Sequence, residues 1–320
     1  DQARRGTLPG MVATGATFAD AAAEYLRYVA EDRGVKPSTL RDYRSIVDAH
    51  LLPAFGPEPV EAVTPRAIET WLAEAGARAD RELSNRTKNK LLVVLHGIFR
   101  RAQKVWGLPR NPLAEVERRR IRSSGDIDVF SVEEVLALVR AARSEQDAAI
   151  FLTAAFTGLR MGELIALRWR DVDFAGKVVR VRASFAGGEL TTPKSGKVRS
   201  VPLAPQVSEA LAKLGARPRW VGDDDLVFPG ELGTHLDGSA LRRRYVEALR
   251  SAGLRRLRFH DLRHTFGTRM IAKADIRRVQ EWMGHADVAT TMKYLHYAPR
   301  DEDADLVAEA FAVGQPSLTT

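Results

Sequence analysis

Residues 178–203 read VVRVRASFAGGELTTPKSGKVRSVPL, and this stretch decides the fold class. It holds short runs rich in valine, separated by Gly187 with Gly188 and by Ser195 with Gly196. Short runs joined by glycine turns are typical of an antiparallel meander rather than a parallel core. The predicted strands cover 178–183, 189–192 and 199–203. Because apolar residues on both sides recur at helical spacing, the sequence predicts a mainly α fold with a small antiparallel β-sheet.

Four amphipathic helices are predicted upstream of this stretch. They begin at polar N-caps or at the first residue of an apolar stripe, and the last one ends at Gly107. The predicted starts are Phe18, Ser38, Thr64 and Ser84. Because helices with short connections form a small bundle, we expect a helical domain over 17–114. Residues 1–16 show no periodicity and are expected to be a tail or linker.

A polar, basic stretch follows at 115–126 and contains four arginines. They are Arg118, Arg119, Arg120 and Arg122. We interpret it as an interdomain linker, whose charge suits a clamp that closes around DNA. A solvated charge run is the alternative.

A second, mixed α+β domain is predicted over 127–300. Ser131 and Glu134 form the capping box of its first helix, and the domain is expected to continue as helix from Asp147 to about Arg168. Residues 301–320 then place apolar side chains at helical spacing. Our hypothesis is that this C-terminal helix and tail is exchanged between subunits; packing on its own domain is the alternative.

Composition favours a polyanionic partner. The chain carries 49 Lys and Arg against 41 Asp and Glu, a net charge of +8, which attracts nucleic acid; a generic basic surface is the alternative. Cysteine is absent, which excludes a disulfide framework, a thiolate nucleophile and a Cys-based zinc site. No apolar stretch nears the roughly 20 residues that span a bilayer, so we expect no membrane partner and a cytoplasmic location. Position 1 is Asp, which leaves room for an upstream arm-binding domain.

The segment 157–164, TGLRMGEL, places Arg160 at the start of a helix. There its guanidinium and nearby backbone N–H groups can face one anion, and Glu163 can hold the region by hydrogen bonds. An ordinary surface ion pair is the alternative. In the basic hairpin tip that follows, Lys194 can reach into a groove as a mobile proton donor; a solvated turn lysine is the alternative there.

The segment 255–264, RRLRFHDLRH, puts His260 and Arg263 on one helix face as two donors. His260 and His264 are four residues apart, as in zinc-binding helices, but Asp261 stands where a zinc hydrolase needs glutamate. We therefore expect no cofactor and keep a zinc hydrolase as a minor alternative.

The segment 282–297, WMGHADVATTMKYLHY, places His285 at a helix end and Tyr294 nine residues later. By itself, a tyrosine there is commonly a half-buried core residue.

Together these segments resemble the tyrosine recombinase, or phage integrase, family in order and spacing. The matching elements are the arginine of a Gly-Leu-Arg-x-Gly-Glu-Leu run, a hairpin lysine, His-x-x-Arg, Gly-His and the tyrosine nine residues on, and they cover about 127–310. The helical domain resembles that family's SAM-like core-binding domain less specifically. Met283 stands where leucine is common, and Tyr297 offers a second tyrosine, but the spacing from His285 favours Tyr294.

The resemblance implies a set of catalytic residues with Glu163 as a supporting acid. The set is Arg160, Lys194, His260, Arg263, His285 and Tyr294. It implies a 3′-phosphotyrosine with a free 5′-hydroxyl, with no metal or ATP, and His260 is our favoured base. It also implies four protomers on double-stranded recombination sites, with accessory DNA-bending or directionality proteins, at the nucleoid of a bacterial or phage-infected cell.

Integration or excision of a mobile element is the favoured function. A dimer resolvase or a supercoil-relaxing relative would use the same chemistry, and a DNA-binding relative without catalysis would lack it. Covalent capture on a nicked suicide substrate separates the last from the others.

Overall fold

A computed structural model describes residues 13–74, 83–121, 128–192 and 198–295. The chain divides into two compact units, Asp1–Ser124 and Gly125–Thr320. Each unit has its own hydrophobic core.

The described part of the first unit is helical. Its second helix continues through one π-helical turn, Val47–Leu51, into a short third helix. The helices are α1 Phe18–Glu31, α2 Pro37–Ile46, α3 Leu52–Phe55, α4 Pro65–Glu74 and α5 Asn85–Trp106.

Local signals explain where these helices begin and end. Thr17 and Asp20 form a capping box before α1, and the hydroxyl of Ser84 accepts a hydrogen bond from a backbone N–H of α5. Gly107 ends α5 with a φ of 68°, a left-handed conformation that glycine adopts without a steric penalty.

The predicted cap at Ser38 is wrong. The N-cap of α2 is Lys36, and Pro37 occupies the first helical position. Proline is suited to that position because its fixed φ matches the helix and its missing N–H has no helical partner there. The proline therefore places the N-cap of α2 two residues before the predicted one.

Aromatic packing joins α1, α3 and α5 in the core of the first unit. The fully buried ring of Phe18 lies 5.6 Å from that of Phe55 and 5.8 Å from that of Phe99, centroid to centroid. Such pairs contribute about 0.5–1.5 kcal/mol beyond the area that they bury.

The first residues of the predicted linker lie along α5. Asn89 donates a hydrogen bond to the carbonyl oxygen of Arg119 and accepts one from its backbone N–H, at 2.8 and 2.9 Å. Asn85 donates to the carbonyl oxygen of Arg120 at 2.9 Å. Two asparagine side chains therefore hold this backbone within the first unit.

The second unit contains eight helices and five short strands in its described residues. The helices are α6 Val132–Arg140, α7 Glu145–Thr157, α8 Met161–Ile165, α9 Pro205–Gly215, α10 Gly238–Ser251, α11 Phe259–Ile271, α12 Ile276–Met283 and α13 Val288–Met292. The strands are β1 Val172–Asp173, β2 Val178–Val181, β3 Ser184–Ala186, β4 Glu189–Thr191 and β5 Arg199–Pro202.

The strands form two small antiparallel sheets. One has the order β1-β2-β5, with the buried Val179 opposite the buried Val201. The other is the hairpin of β3 and β4, which turns at Gly187 and Gly188 with positive φ at both. The predicted mainly α fold with a small antiparallel sheet is confirmed.

The helical region predicted from Asp147 to about Arg168 consists of two helices, and the break between them is at Gly158. This residue ends α7 with a φ of 64°, and α8 begins only after Arg160. A Cβ at position 158 would lie 2.6 Å from the Phe266 ring, so the break brings α7 close against α11. Arg160 thereby lies in the gap between two helices.

None of the helices within the described ranges is long and apolar enough to cross a membrane.

Candidate active site

Helix α11 carries three candidate side chains of the second unit. Arg258 is its N-cap residue, and Asp261 accepts hydrogen bonds from the backbone N–H and guanidinium of Arg258, which fixes the first turn. His260, Arg263 and His264 follow on this helix.

Arg263 is buried, with 2% of its surface exposed. Its guanidinium donates to the carbonyl oxygen of Gly158 at 2.6 Å and to that of Met283. These two oxygens are at the ends of α7 and α12, where helix carbonyls lack helical partners. Burial and the nearby charge of Arg160 lower the pKa of Arg263 to about 9, so the group is cationic at neutral pH.

Glu163 lies 1% exposed between two arginines. Its carboxylate accepts hydrogen bonds from the backbone N–H of Arg160 at 2.8 Å and from its guanidinium at 3.0 Å. Arg199 of β5 donates two more, at 3.0 and 2.7 Å. Burial acts to raise the pKa of Glu163, but the hydrogen bonds and charges of Arg199 and Arg160 outweigh it, and the pKa is lowered overall.

Arg199 is a site residue that the sequence prediction missed. Besides pairing with Glu163, its Nε donates to the carbonyl oxygen of Trp282 at 2.7 Å. A Cβ at Gly284 would lie 2.9 Å from the Arg199 side chain. Arg199 therefore joins the carboxylate of α8 to the end of α12, next to His285.

His285 follows Gly284, which ends α12 with a φ of 61°. The Nδ1 of His285 is 2.9 Å from the hydroxyl of Thr291 on α13, which fixes the ring orientation. Burial and the cations Arg263, Arg160 and Arg199 lower the pKa of His285 to about 3. The imidazole is therefore neutral at pH 7 before any anion arrives.

Tyr294 lies in a pocket together with Arg160, Arg263 and His285. Only 3% of its surface is exposed. Its hydroxyl is 2.9 Å from Nδ1 of His264. Its ring is nearly parallel to that of His285, with centroids 6.2 Å apart and planes at 9°. Burial raises the pKa of Tyr294, while the charges of Arg263 and Arg160 oppose that rise.

His260, our favoured base from the sequence, is more exposed than His264. Its ring meets that of His264 edge to face, with centroids 4.9 Å apart. Burial, His264 and the nearby arginines lower the pKa of His260 to about 4. Among the described residues, the histidine in hydrogen-bond contact with the Tyr294 hydroxyl is His264.

An open cavity of about 500 Å³ lies beside His260. Its lining includes the apolar side chains of Met161 and Leu257, the ring of Tyr245, and three arginines. These arginines are Arg242, Arg256 and Arg258.

The structure brings together Arg160, Glu163, Arg263, His285 and Tyr294, and places His260 one helical turn from His264. Lys194, the second tyrosine Tyr297 and the segment 301–320 lie outside the described residues. Within the described ranges, no three His, Asp or Glu side chains are arranged to hold a metal ion.

Comparisons with known proteins cover both units. Residues 128–300 match the model of the phage integrase family, and residues 17–75 match the phage integrase N-terminal SAM-like domain. A putative prophage phiRv2 integrase of Mycobacterium tuberculosis is 28% identical over 303 residues, which cover 92% of this chain and 78% of that protein. Tyrosine recombinase XerC of Pelobacter propionicus is 27% identical and covers 90% and 93%.

Solved structures show the same fold. The Tn1549 transposon integrase in complex with transposon right end DNA has a TM-score of 0.72 at 21% identity, covering 93% of this chain and all of that chain. A lambda integrase dimer bound to a core site has a TM-score of 0.71 at 19% identity, covering 87% and 95%. With the family model matching more than half of its length, this chain belongs to the phage integrase family and is a site-specific tyrosine recombinase.

Proposed function

We propose that Tyr294 is the nucleophile that attacks a DNA phosphodiester, forming a 3′-phosphotyrosyl intermediate and releasing a 5′-hydroxyl. The observation that carries this proposal is the location of the phenol: it is buried in the pocket that also holds Arg160, Arg263 and His285. Rejoining reverses the step, and because one phosphate ester replaces another, no external energy source is needed.

The arginines and histidines of the pocket are suited to stabilise the negative charge that develops in the transition state of this reaction. Negative charge grows on the non-bridging phosphate oxygens in the transition state, where one preorganised donor is worth about 2.7–4 kcal/mol. Arg160, Arg263, His260 and His285 are assigned to these oxygens, and Glu163 holds Arg160 in place. Lys194 is assigned as the acid that protonates the leaving 5′-oxygen.

Double-stranded recombination sites are the proposed substrate, with unit Asp1–Ser124 binding the core site. Four protomers are proposed to act on two sites, and the fold of the lambda integrase tetramer bound to a Holliday junction, with a TM-score of 0.68, supports that assembly. Accessory DNA-bending or directionality proteins complete the complex. We place the protein in the cytoplasm of a bacterial or phage-infected cell, at the nucleoid, and assign the segment 301–320 to docking on a neighbouring subunit.

Integration and excision of a mobile element is our favoured biological role. Its support is the similarity to a prophage integrase and to a transposon integrase. Dimer resolution is the second candidate, supported by the XerC similarity over nearly all of both chains. An attachment site adjoining the gene, together with transfer of DNA carrying that site into a chromosome, distinguishes the first role from the second.

Covalent capture tests the proposed chemistry. A pool of nicked suicide duplexes with randomised arms is incubated with the protein, and adducts that survive denaturant are isolated and sequenced. We expect an adduct whose modified peptide contains Tyr294. Tyr294→Phe should bind the selected duplex and form no adduct, whereas Tyr297→Phe should still form it. No adduct from the unaltered protein, or an adduct from Tyr294→Phe, overturns the proposal.

A further inference from the structure

The phenol of Tyr294 has one close proton-accepting neighbour among the described side chains, His264. Oη and Nδ1 are 2.9 Å apart, within the range in which a general base acts. His264 is half-buried and next in sequence to Arg263, whose two carbonyl contacts fix this part of α11.

The imidazole is in the protonation state that a base requires. Burial lowers the pKa of His264, with Arg258, Arg263 and Lys293 acting in the same direction and Asp261 opposing them. At neutral pH the ring is therefore uncharged. In the tautomer protonated at Nε2, the lone pair of Nδ1 faces the phenol.

The phenol needs such a partner. Burial raises the pKa of Tyr294 above its usual value near 10, so spontaneous ionisation at pH 7 leaves fewer than about one molecule in a thousand as phenolate. His260, one turn away on α11, is in ring contact with His264.

We propose that His264 is the general base of strand cleavage, rather than His260. As the Oη–P bond forms and the P–O5′ bond breaks, the phenol proton moves to Nδ1 of His264, and the leaving 5′-oxygen takes a proton from the acid assigned to Lys194. On rejoining, the 5′-hydroxyl returns its proton to the lysine and protonated His264 returns one to the departing phenolate. This assignment rests on the proposed function of Tyr294.

His264→Asn is the sharpest variant for testing this assignment. The amide oxygen of asparagine occupies nearly the position of Nδ1 and still accepts a hydrogen bond from the phenol, but it does not take up the proton. A role in positioning alone would therefore survive the change, whereas a role as base would not. Equal duplex affinity and an unchanged Tm show that the variant is folded. We expect adduct formation to slow about 100-fold or more.

Two chemical rescues distinguish a base from an acid. Replacing Tyr294 by 3,5-difluorotyrosine makes the phenol more acidic, and it should restore most of the lost rate in His264→Asn. A substrate with sulfur in place of the bridging 5′-oxygen has a leaving group that needs no proton. It should restore Lys194→Ala and leave His264→Asn slow. His260→Asn should not be rescued by the fluorinated phenol.

Several results would overturn the assignment. They are cleavage by His264→Asn within threefold of the unaltered protein, rescue of that variant by the sulfur substrate, or rescue of His260→Asn instead by difluorotyrosine. A failure of the proposed function is distinguishable, because then the unaltered protein forms no adduct at Tyr294 and the comparison among variants does not arise.

Discussion

A single carboxylate neutralises part of the charge of the arginine pocket. Glu163 accepts four hydrogen bonds from Arg160 and Arg199 while almost fully buried. Removing one partner of a buried ion pair leaves the other charge uncompensated, at a cost of about 3–5 kcal/mol. At the scale of one residue, Glu163 therefore contributes to stability as well as to the position of Arg160.

Glu163→Gln should lower the free energy of unfolding by about 3–5 kcal/mol, because two guanidiniums lose their anion in a buried site. Urea unfolding followed by circular dichroism measures the change. Glu209→Gln is the matched control, since Glu209 pairs with Lys213 at the exposed surface, and it should change the free energy by less than about 0.5 kcal/mol. Equal effects of the two substitutions would contradict this role of Glu163.

The histidines of the pocket give a prediction for pH. The pKa is lowered to about 4 at His260, lowered to about 3 at His285, and lowered at His264. Between pH 6.5 and 4.5 the unfolded chain binds more protons at these positions than the folded one, so stability is lost as pH falls. The free energy of unfolding should decrease across this window in the DNA-free protein, and less steeply in a His260→Asn, His285→Asn double variant. If the double substitution left the slope of the free energy of unfolding against pH unchanged, these histidines would not be the cause of the pH dependence.

At the scale of an element, α11 contacts Tyr294 through a position without a side chain. A Cβ at Gly267 would lie 2.8 Å from the Tyr294 ring and 3.0 Å from the end of Met283. The close approach of helix and ring brings the phenol within reach of His264, one turn earlier on the same helix.

Gly267→Ala should displace the Tyr294 ring and reduce adduct formation at least tenfold, with little change in duplex affinity, because Arg160 and Arg263 keep their hydrogen-bond partners. Gly215→Ala is the control, since its Cβ would meet Trp169 at an ordinary 3.6 Å. Adduct formation and gel-shift affinity measured on the same selected duplex provide the check. A parallel loss of binding and cleavage would point to general misfolding instead.

Features of these elements that depend on neighbouring residues could be predicted from the sequence, whereas features that depend on distant contacts could not. The capping box of Ser131 and Glu134 was predicted from four residues and is confirmed. The helix start at Arg160 is predicted from the sequence and agrees with the N-cap of α8, whereas the close packing of Phe266 that favours glycine at 158 comes from α11 and gives no local signal. Arg199 carried no sequence signal, since its partner Glu163 is 36 residues away. The sequence indicates His264 only as a candidate zinc ligand, because its contact with Tyr294 depends on how the chain after α13 packs against α11.

At the scale of the whole molecule, Tyr294 occupies the pocket of its own chain. His264 and Tyr294 are joined within one protomer, and Arg160 and Arg263 act on the phenol from the same second unit. This arrangement predicts that each protomer cleaves DNA with its own tyrosine.

Mixing two inactive variants tests that arrangement. Arg160→Ala retains the tyrosine, and Tyr294→Phe retains the arginines, so a mixture regains cleavage only if a tyrosine enters a neighbour's pocket. We expect the mixture to stay inactive on the selected duplex, with adducts distinguished by tags of different size. Restored adduct on the Arg160→Ala chain would show that the tyrosine is delivered between protomers.

The surplus of guanidinium over carboxylate around Glu163 also predicts an effect of DNA on the lifetime of the protein. Arg160, Arg199 and Arg263 share that single buried anion, so we expect a bound phosphate to relieve part of their mutual repulsion. DNA sites at a free concentration 100 times the dissociation constant would raise the free energy of unfolding by about 2.7 kcal/mol. DNA-bound molecules would then be degraded by proteases more slowly than free ones. The cellular amount of the recombinase would increase with the number of DNA sites available to it.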